Sequence, residues 1–230
     1  MHAATLTALE FDRIQALVAD RTLTPLGRHV GWGTANACIM FADDYLELIG
    51  IVDPSQCLND LDHVLAERGE GVQGIAFATP DAAAAHRELE PLGITRAPAR
   101  LGRVLEQGEP PVELWFQVAR LIPGGLPAIS GLLCQHLTPE RLRRPEWLEH
   151  ANGVVGIDGV SIVVERAEDL VSPYRALFGA DAVDTGHGRT DVRIGRHVLR
   201  FLSLDRFARR YPGMEPAVAL PCAAVLTLRC

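Results

Sequence analysis

Lysine is absent from this chain of 230 residues, so all 22 of its basic side chains are arginine. Without lysine there is no amine to form a Schiff base with a carbonyl substrate, and no P-loop lysine to contact the phosphates of a nucleotide. Aldolase-like and P-loop chemistry are therefore excluded. A genome biased towards arginine accounts equally well for the composition, so the arginine excess by itself assigns no function.

The chain also lacks an excess of positive charge and any long apolar run. Its formal net charge is -7 and its sequence pI is about 5.6, whereas a nucleic-acid surface needs clustered positive charge. No stretch approaches the roughly 20 apolar residues that cross a bilayer, and the N-terminus has no basic region followed by a cleavage site. We expect no nucleic-acid or membrane partner and a cytoplasmic location.

Cysteine is scarce, with five residues and no C-x-x-C spacing. An odd number of unclustered cysteines is typical of thiols packed in the core of a protein from a reducing compartment. A glycine-rich segment, residues 27–36, lacks the Gly-x-Gly-x-x-Gly form that binds dinucleotides between a strand and a helix. The chain has no Gly-x-Ser-x-Gly motif either. We predict no nucleotide cofactor.

One supersecondary pattern occurs three times: a short apolar strand, an acidic or Pro-Asp helix start and an amphipathic helix. The copies begin near His2, Gln73 and Gly159, and their first strands are predicted at residues 2–7, 72–78 and 159–164. The predicted helices cover residues 10–20, 82–92 and 167–178. Further strand candidates, bounded by Gly, Asp or Pro, cover residues 34–41, 45–52, 112–120, 128–135, 190–194, 197–204 and 222–228.

This order predicts an α+β fold in which repeated β-α-β-β(-β) modules form curved mixed sheets around a cleft, with the helices on the outside. We expect paired modules over residues 1–148, at about 1–70 and 71–137, followed by a connector with a short capped helix and a Pro turn. A third module occupies residues 149–230.

Glu47 is the most informative single residue. It lies in a strand that is apolar on both faces, and it shares a face with Tyr45, Ile49 and Ile51. An unpaired charge there would be costly to bury, so Glu47 needs a metal, an arginine, a proton or the water of a cleft. Two interpretations stay open: a functional cleft, or a glutamate at a strand edge that is solvated or pairs with Arg28 or another arginine.

Other polar side chains are candidates to point into the same cleft. Gln135 and His136 end one strand on opposite faces, and His2 opens the first strand. Together His2, Glu47 and His136 would supply two imidazoles and one carboxylate, a set that suits a divalent metal such as Fe, Mn, Zn or Ni. For His136 taken alone, a hydrogen-bonded core or surface histidine without a metal is the simpler interpretation. His2 is the second residue of the chain, where fraying is the default.

The glycine-rich segment precedes a strand and would bring backbone N–H groups close to a ligand. Its candidate ligand-binding side chains are Arg28, His29, Trp32 and Asn36. The alternative is a β-turn in which Trp32 is a packing anchor.

Two stretches, Gly27-Arg-His-Val-Gly-Trp-Gly-Thr-Ala-Asn36 and Asp44-Tyr-Leu-Glu-Leu-Ile-Gly-Ile-Val-Asp-Pro54, resemble the glyoxalase-like-domain branch of the vicinal-oxygen-chelate superfamily in composition and spacing. The stretch from Cys134 to Gly153 is similar to the same branch. The resemblance implies paired β-α-β-β-β modules around a cleft, with metal ligands on the first and last strands of each module.

By position, the resemblance places first-module ligands at His2 and Glu47. In the second module the corresponding positions are Gln73 or Gly74 and Gln135 or His136, so a four-ligand set is incomplete. The third module has no matching carboxylate, and we expect it to be degenerate and structural.

Two functions follow from the resemblance. One is a divalent-metal-dependent isomerase, lyase or dioxygenase that acts on a small oxygen-rich substrate, with Glu47 as the base. The other is a metal-free protein that binds or sequesters a small molecule in the same cleft, with Trp32, Trp115 and Phe116 as apolar walls. Two arrangements of the third module stay open: it covers the cleft, or it pairs across a homodimer.

Overall fold

A computed structural model describes residues 2–3, 20–216 and 219–230 of the protein. The first predicted helix, residues 10–20, lies outside these residues except at its last position. The chain divides into two compact units. Unit 1 comprises Met1–Leu126, Ser130–Gly156 and Cys230, and unit 2 comprises Pro127–Ile129 and Ile157–Arg229.

Unit 1 repeats one strand order twice. Its strands are β1 (His2–Ala3), β2 (Gly27–His29), β3 (Thr34–Met40), β4 (Tyr45–Ile51), β5 (Val72–Ala78), β6 (Ala99–Leu105), β7 (Val112–Arg120) and β8 (Gly131–His136). The first module has the order β1-β4-β3-β2 and the second has the order β5-β8-β7-β6. The first and last strands of each module are parallel, and the remaining pairs are antiparallel. The mixed sheet confirms the predicted α+β class.

The two modules join through their edge strands. Strand β2 pairs with β6, and the backbone of β1 pairs with both β4 and β5. Strand β3 is buried along its whole length, as its run of small and apolar residues requires in the middle of a sheet.

Two α-helices of unit 1 are described, α1 (Leu61–Arg68) and α2 (Ala82–Leu89). The carboxylate of Asp81 accepts hydrogen bonds from the backbone N–H groups of Ala83 and Ala84, each at 2.9 Å, and so caps α2 at the predicted start. A 3-10 turn, Glu90–Leu92, continues α2 to Gly93, whose φ of 65° is readily available to glycine.

Strand alternation gives the sheet of unit 1 two faces. We define the inner face as the one that carries Glu47. Its apolar part is a buried cluster of Cys38, Met40, Leu105, Leu114, Phe116, Val118, Cys134, Leu142 and Trp147. The last two residues come from the connector that follows β8, so the connector helps to complete the core of unit 1.

The connector differs from its prediction. It contains two 3-10 turns, Pro139–Arg141 and Pro145–Trp147, instead of a capped helix. The side chain of Thr138 does not cap a helix, because its Oγ1 accepts a hydrogen bond from the backbone N–H of Trp115 at 3.0 Å.

Unit 2 contains the third module and one additional strand. Its strands are β9 (Gly156–Val164), β10 (Val183–Gly186), β11 (Arg189–Ile194), β12 (His197–Ser203) and β13 (Cys222–Arg229), in the order β13-β9-β12-β11-β10. Its α-helices are α3 (Val171–Phe178) and α4 (Leu204–Arg210). Buried Ser161 and Thr190 both have partners, the Tyr211 hydroxyl at 2.8 Å and the Ala167 carbonyl at 2.6 Å.

The sequence patterns did not predict β2, β6, β10, α1 or α4. Strand β2 has only three residues, and β6 contains a glycine and two arginines, which are not typical strand residues. These strands form because neighbours on both sides supply hydrogen bonds. Within the described ranges, no helix has the length and apolar character to cross a membrane.

Candidate functional site

The polar part of the inner face lies on β2, β3, β4 and β6. Cys38 on β3 stands directly opposite Glu47 on β4, and His29 on β2 stands opposite Arg103 on β6. Asn36 is two residues before Cys38 and therefore on the same face. All five side chains are buried, with Glu47 only 4% exposed and Arg103 only 3% exposed. Burying these polar and charged groups costs free energy unless each one has a hydrogen-bond or ion-pair partner.

Asn36 connects the two charged residues. Arg103 donates a hydrogen bond from Nη1 to Asn36 Oδ1 at 2.8 Å, which fixes the orientation of the amide. Asn36 Nδ2 then donates to Glu47 Oε1. A buried carboxylate and a buried guanidinium are thus linked by one amide, and each charge lowers the cost of burying the other.

His29 belongs to the same network. Its Nε2 lies 3.2 Å from Asn36 Nδ2 and its Nδ1 lies 2.8 Å from Thr34 Oγ1. Because an amide N–H can only donate, Nε2 is the acceptor, and the network assigns the proton to Nδ1. His29 Nε2 is also 4.0 Å from Glu47 Oε1. The ring therefore helps to orient the polar groups around the carboxylate.

Arg103 extends the network towards the apolar cluster. Its Nη1 also lies 3.4 Å from Cys38 Sγ, and its Cζ is 5.4 Å from the centroid of the Phe116 ring. Burial by itself would lower the pKa of the guanidinium, but the neighbouring Cys38 and Glu47 groups more than offset this, so the pKa is raised. Burial raises the pKa of Cys38 despite the nearby arginine, so this cysteine remains a thiol at neutral pH.

His136 lies on the inner face at the end of β8. Its Nε2 is 3.3 Å from the Tyr45 hydroxyl, and its ring packs edge-on against Phe116 with 4.8 Å between centroids. Burial, followed by the positive charges of Arg143 and Arg103, lowers the pKa of His136 to about 4. The imidazole is therefore neutral at physiological pH.

Several predicted site residues lie elsewhere. Gln135 accepts a hydrogen bond from the backbone N–H of Ala82 and so faces α2. Gln73 donates to the carbonyl of Gly69, and Arg28 pairs with exposed Glu106 instead of Glu47. The structure does not bring these three side chains to the inner face.

The three aromatic residues predicted as apolar walls of the cleft, Trp32, Trp115 and Phe116, do not all lie on one face of the sheet. Trp115 is adjacent in sequence to Phe116, so the two rings lie on opposite faces of β7. Trp115 stacks with Arg100, whose Cζ is 4.2 Å from the centroid of a Trp115 ring. Trp32 lies just beyond β2, with its ring centroid 5.7 Å from that of His29 and 5.6 Å from Cζ of Arg120, which shares its face of β7 with Phe116. Phe116 belongs to the inner face, Trp32 lies against residues of that face, and Trp115 is on the opposite face.

Of the three metal ligands predicted from the sequence, the structure describes the side chains of Glu47 and His136 but only the backbone of His2. Strand β1 is parallel to β4, with the backbone of His2 in register with Glu47. On its other side His2 is in register with Gly74, which has no side chain to donate to a metal. The side chain of His2 lies outside the described part of the structure.

A three-ligand divalent centre is not formed by the described side chains. Among them, no group of three or more His, Cys, Asp or Glu residues could hold a metal ion. Arg103 also places a permanent positive charge close to Glu47, which opposes a divalent cation. The described residues therefore do not fit such a centre, and a third ligand would have to come from outside them.

Arg103, Cys38 and Tyr45 were not predicted as site residues. Arg103 was missed because β6 was missed. The signal that could have found it is the alternation of Leu101, Arg103 and Leu105, which puts a charge between two leucines on one face of a strand.

Comparisons with known proteins agree with this architecture. A family model described as a glyoxalase-like domain matches residues 4–178. A hypothetical protein from Staphylococcus aureus has a similar solved structure, with a TM-score of 0.68 and 16% identity over 88% of this chain and 84% of the other. A hypothetical protein from Bacillus halodurans C-125 matches with a TM-score of 0.44 and 18% identity over 58% of this chain and 91% of the other.

No curated protein matches the chain. The Staphylococcus aureus structure shows the fold alone, whereas the family model covers most of the sequence and spans both modules of unit 1. The chain belongs to the glyoxalase-like-domain family of the vicinal-oxygen-chelate superfamily.

Proposed function

We propose that the inner face of unit 1 binds a small, oxygen-rich organic compound and that this binding does not require a metal. The observation that carries the proposal is the buried network of Arg103, Asn36 and Glu47. A fold that needed only stability would gain little from burying two charges, because apolar residues of similar volume are often as stable or more stable. Retention of the charges favours a role in recognition.

The network suits a ligand with neighbouring oxygen atoms. Glu47 can accept a hydrogen bond from a hydroxyl group, and Arg103 can donate to a carbonyl or an anionic oxygen. Phe116 and the ring of His136 offer apolar surface beside these polar groups. A few polar groups against an apolar wall is the usual composition of a small-molecule site.

A second candidate is the divalent-metal-dependent isomerase, lyase or dioxygenase. Two observations favour it: His2 occupies the strand position in register with Glu47, and His136 is neutral, which is the form that binds metals. If bound, the metal would act as a Lewis acid for two neighbouring substrate oxygens. Its proposed ligands are His2, Glu47 and His136.

Binding to metal-free protein distinguishes the two candidates. Protein purified without a chelating tag and treated with EDTA is titrated with catechol, salicylate and 2-oxobutyrate, and binding is followed by ligand-observed NMR. We expect at least one probe to bind and Glu47→Gln to weaken its binding by roughly tenfold or more. The matched control is Glu106→Gln, the same change at an exposed carboxylate of the same unit.

Two outcomes would contradict the proposal. Binding that appears only after addition of Fe(II), Mn(II), Zn(II) or Ni(II), and is lost in His136→Ala, would establish the metal-dependent candidate instead. Absence of binding from all three probes at millimolar concentration, with and without metal, would reject both candidates for this face.

A further inference from the structure

Arg103 uses only one side of its guanidinium within the described network. Its Nη1 donates to Asn36 and contacts Cys38. The other two nitrogens, Nε and Nη2, are buried and have no hydrogen-bond partner among the described residues. Buried N–H groups nearly always have a hydrogen-bond partner, so the unpaired Nε and Nη2 need an explanation.

The two nitrogens form one edge of the planar guanidinium. The Nε–H bond and one Nη2–H bond point in the same direction, and their spacing matches the two oxygens of a carboxylate. A neutral amide has one acceptor oxygen, which can bridge the two donors only through bent hydrogen bonds and brings no negative charge. The geometry and charge of the unpaired edge therefore favour a planar anionic group over a neutral amide.

Arg200 in unit 2 shows how the Nε and Nη2 edge of an arginine pairs with a carboxylate. Arg200 Nε donates to Asp191 Oδ1 and Arg200 Nη2 donates to Asp191 Oδ2, both at 2.9 Å. This is the two-bond arrangement that the edge of Arg103 could make. The difference is that Arg103 is buried and that no described carboxylate lies within hydrogen-bonding distance of its Nε and Nη2 edge.

The position of Arg103 puts this edge among the proposed ligand-binding groups. Strand β6 lies between β2 and β7, with the polar residues of the first module on one side and Phe116 on the other. The charge of Arg103 also contributes to the lowered pKa of His136, which lies on β8. The guanidinium therefore lies between the polar network and the apolar wall.

We propose that the Nε and Nη2 edge of Arg103 binds the carboxylate of a small organic acid, which makes Arg103 the residue that specifies the ligand class. This inference rests on the proposed function of the inner face. The carboxylate would neutralise Arg103 directly, and a hydroxyl or oxo group beside it would lie towards Asn36 and Glu47. A 2-hydroxy or 2-oxo carboxylic acid has this arrangement of oxygens.

The Nε–H resonance of Arg103 tests the proposal directly. In metal-free ¹⁵N-labelled protein, the resonance is assigned by its loss in Arg103→Lys, and formate, salicylate and salicylamide are added in turn. We expect formate and salicylate to shift it and neutral salicylamide to leave it in place. The internal control is the Nε–H of Arg200, which already holds Asp191 and should not move with any probe.

Affinity supplies the second measurement. Arg103→Lys keeps the charge but removes the two-donor edge, so salicylate should bind roughly tenfold to a hundredfold more weakly while catechol, which has no carboxylate, keeps its affinity. If the variant does not fold, the Nε–H resonance is assigned instead by through-bond correlation to the Arg103 backbone in the wild-type protein, and the formate shift then decides alone.

The outcomes separate this inference from the proposed function. An unmoved Arg103 resonance, together with catechol binding that depends on Glu47, would overturn the role of Arg103 and leave the proposed function intact. Failure of every probe to bind would overturn both.

Discussion

The two modules of unit 1 share one strand order but place different side chains on the inner face. Strands β2, β3 and β4 of the first module carry His29, Asn36, Cys38 and Glu47. The matching strands of the second module carry mainly apolar residues, with Arg103, Arg120 and His136 as polar exceptions. Repetition of the fold therefore did not repeat the chemistry.

This difference indicates separate roles for the two halves. The second module supplies an apolar wall and one buried cation, whereas the first supplies the groups that hold that cation and orient the carboxylate. This division predicts that substitutions in the apolar wall of the second module mainly change stability, whereas substitutions of Arg103 and of the polar groups of the first module mainly change binding. Four predictions test it, from the largest expected effect to the smallest.

Removing the ring of Phe116 should have the largest effect on stability. Phe116 is 7% exposed and contacts both Arg103 and His136. Phe116→Ala leaves a cavity in the apolar wall and should lower the free energy of unfolding by about 3–5 kcal/mol. Urea unfolding measures the change. The control is Phe77→Ala on the partly buried opposite face of β5, and an equal loss in that variant would contradict the special position of Phe116.

His136 should make stability depend on pH. Its pKa is lowered by burial to about 4, below the value of about 6.5 in an unfolded chain. The unfolded state then binds the extra proton first, so stability is complete above pH 6.5 and is lost as the pH falls towards 4. The loss due to His136 should reach roughly 3 kcal/mol.

Unfolding curves measured from pH 7 to pH 4 check this sign. His136→Gln should lose less stability than the wild type over that interval. A control variant, His63→Gln, changes an exposed histidine of α1. Parallel pH profiles for the wild type and His136→Gln would show that this histidine is not the group responsible.

Glu47 and Arg103 should behave as one network although they belong to different modules. Each single substitution, Glu47→Gln or Arg103→Met, leaves a buried charge without its counter-charge. The double variant removes both charges, so it should be more stable than the sum of the single effects predicts, with a coupling of about 1–2 kcal/mol. Additive effects in the double-mutant cycle would mean that Asn36 does not link the two residues energetically.

The sequence predicted the strands whose own composition favours extended structure. The limits of β5 and β7 were predicted correctly at 72–78 and 112–120, since both are apolar runs bounded by turn residues. Strands β2 and β6 were missed because pairing with neighbours, which sequence periodicity does not reveal, holds them in place.

The site residues show the same contrast: a residue on a strand that its own composition reveals could be predicted, and a residue on a strand held by its neighbours could not. Glu47 could be predicted because a carboxylate in an apolar strand is conspicuous, and its burial is observed. Its partner could not, because Arg103 lies on the missed strand β6, 56 positions away in sequence. The prediction that Trp115 lines the cleft together with Phe116 is wrong, because adjacent residues of β7 lie on opposite faces of the strand.

Two buried cysteines, one in each module, give the prediction with the smallest expected effect and the most closely matched pair of variants. Cys38 lies beside Arg103 in the polar part of the inner face, and Cys134 lies opposite Val118 in the apolar part. In Cys38→Ser the new hydroxyl oxygen can accept a hydrogen bond from Arg103, whereas in Cys134→Ser the hydroxyl is buried against apolar side chains. We expect Cys134→Ser to be less stable than Cys38→Ser by about 1 kcal/mol in urea unfolding. Because both variants exchange one sulfur for one oxygen, equal costs would mean that the two halves do not differ in polarity as their side chains indicate.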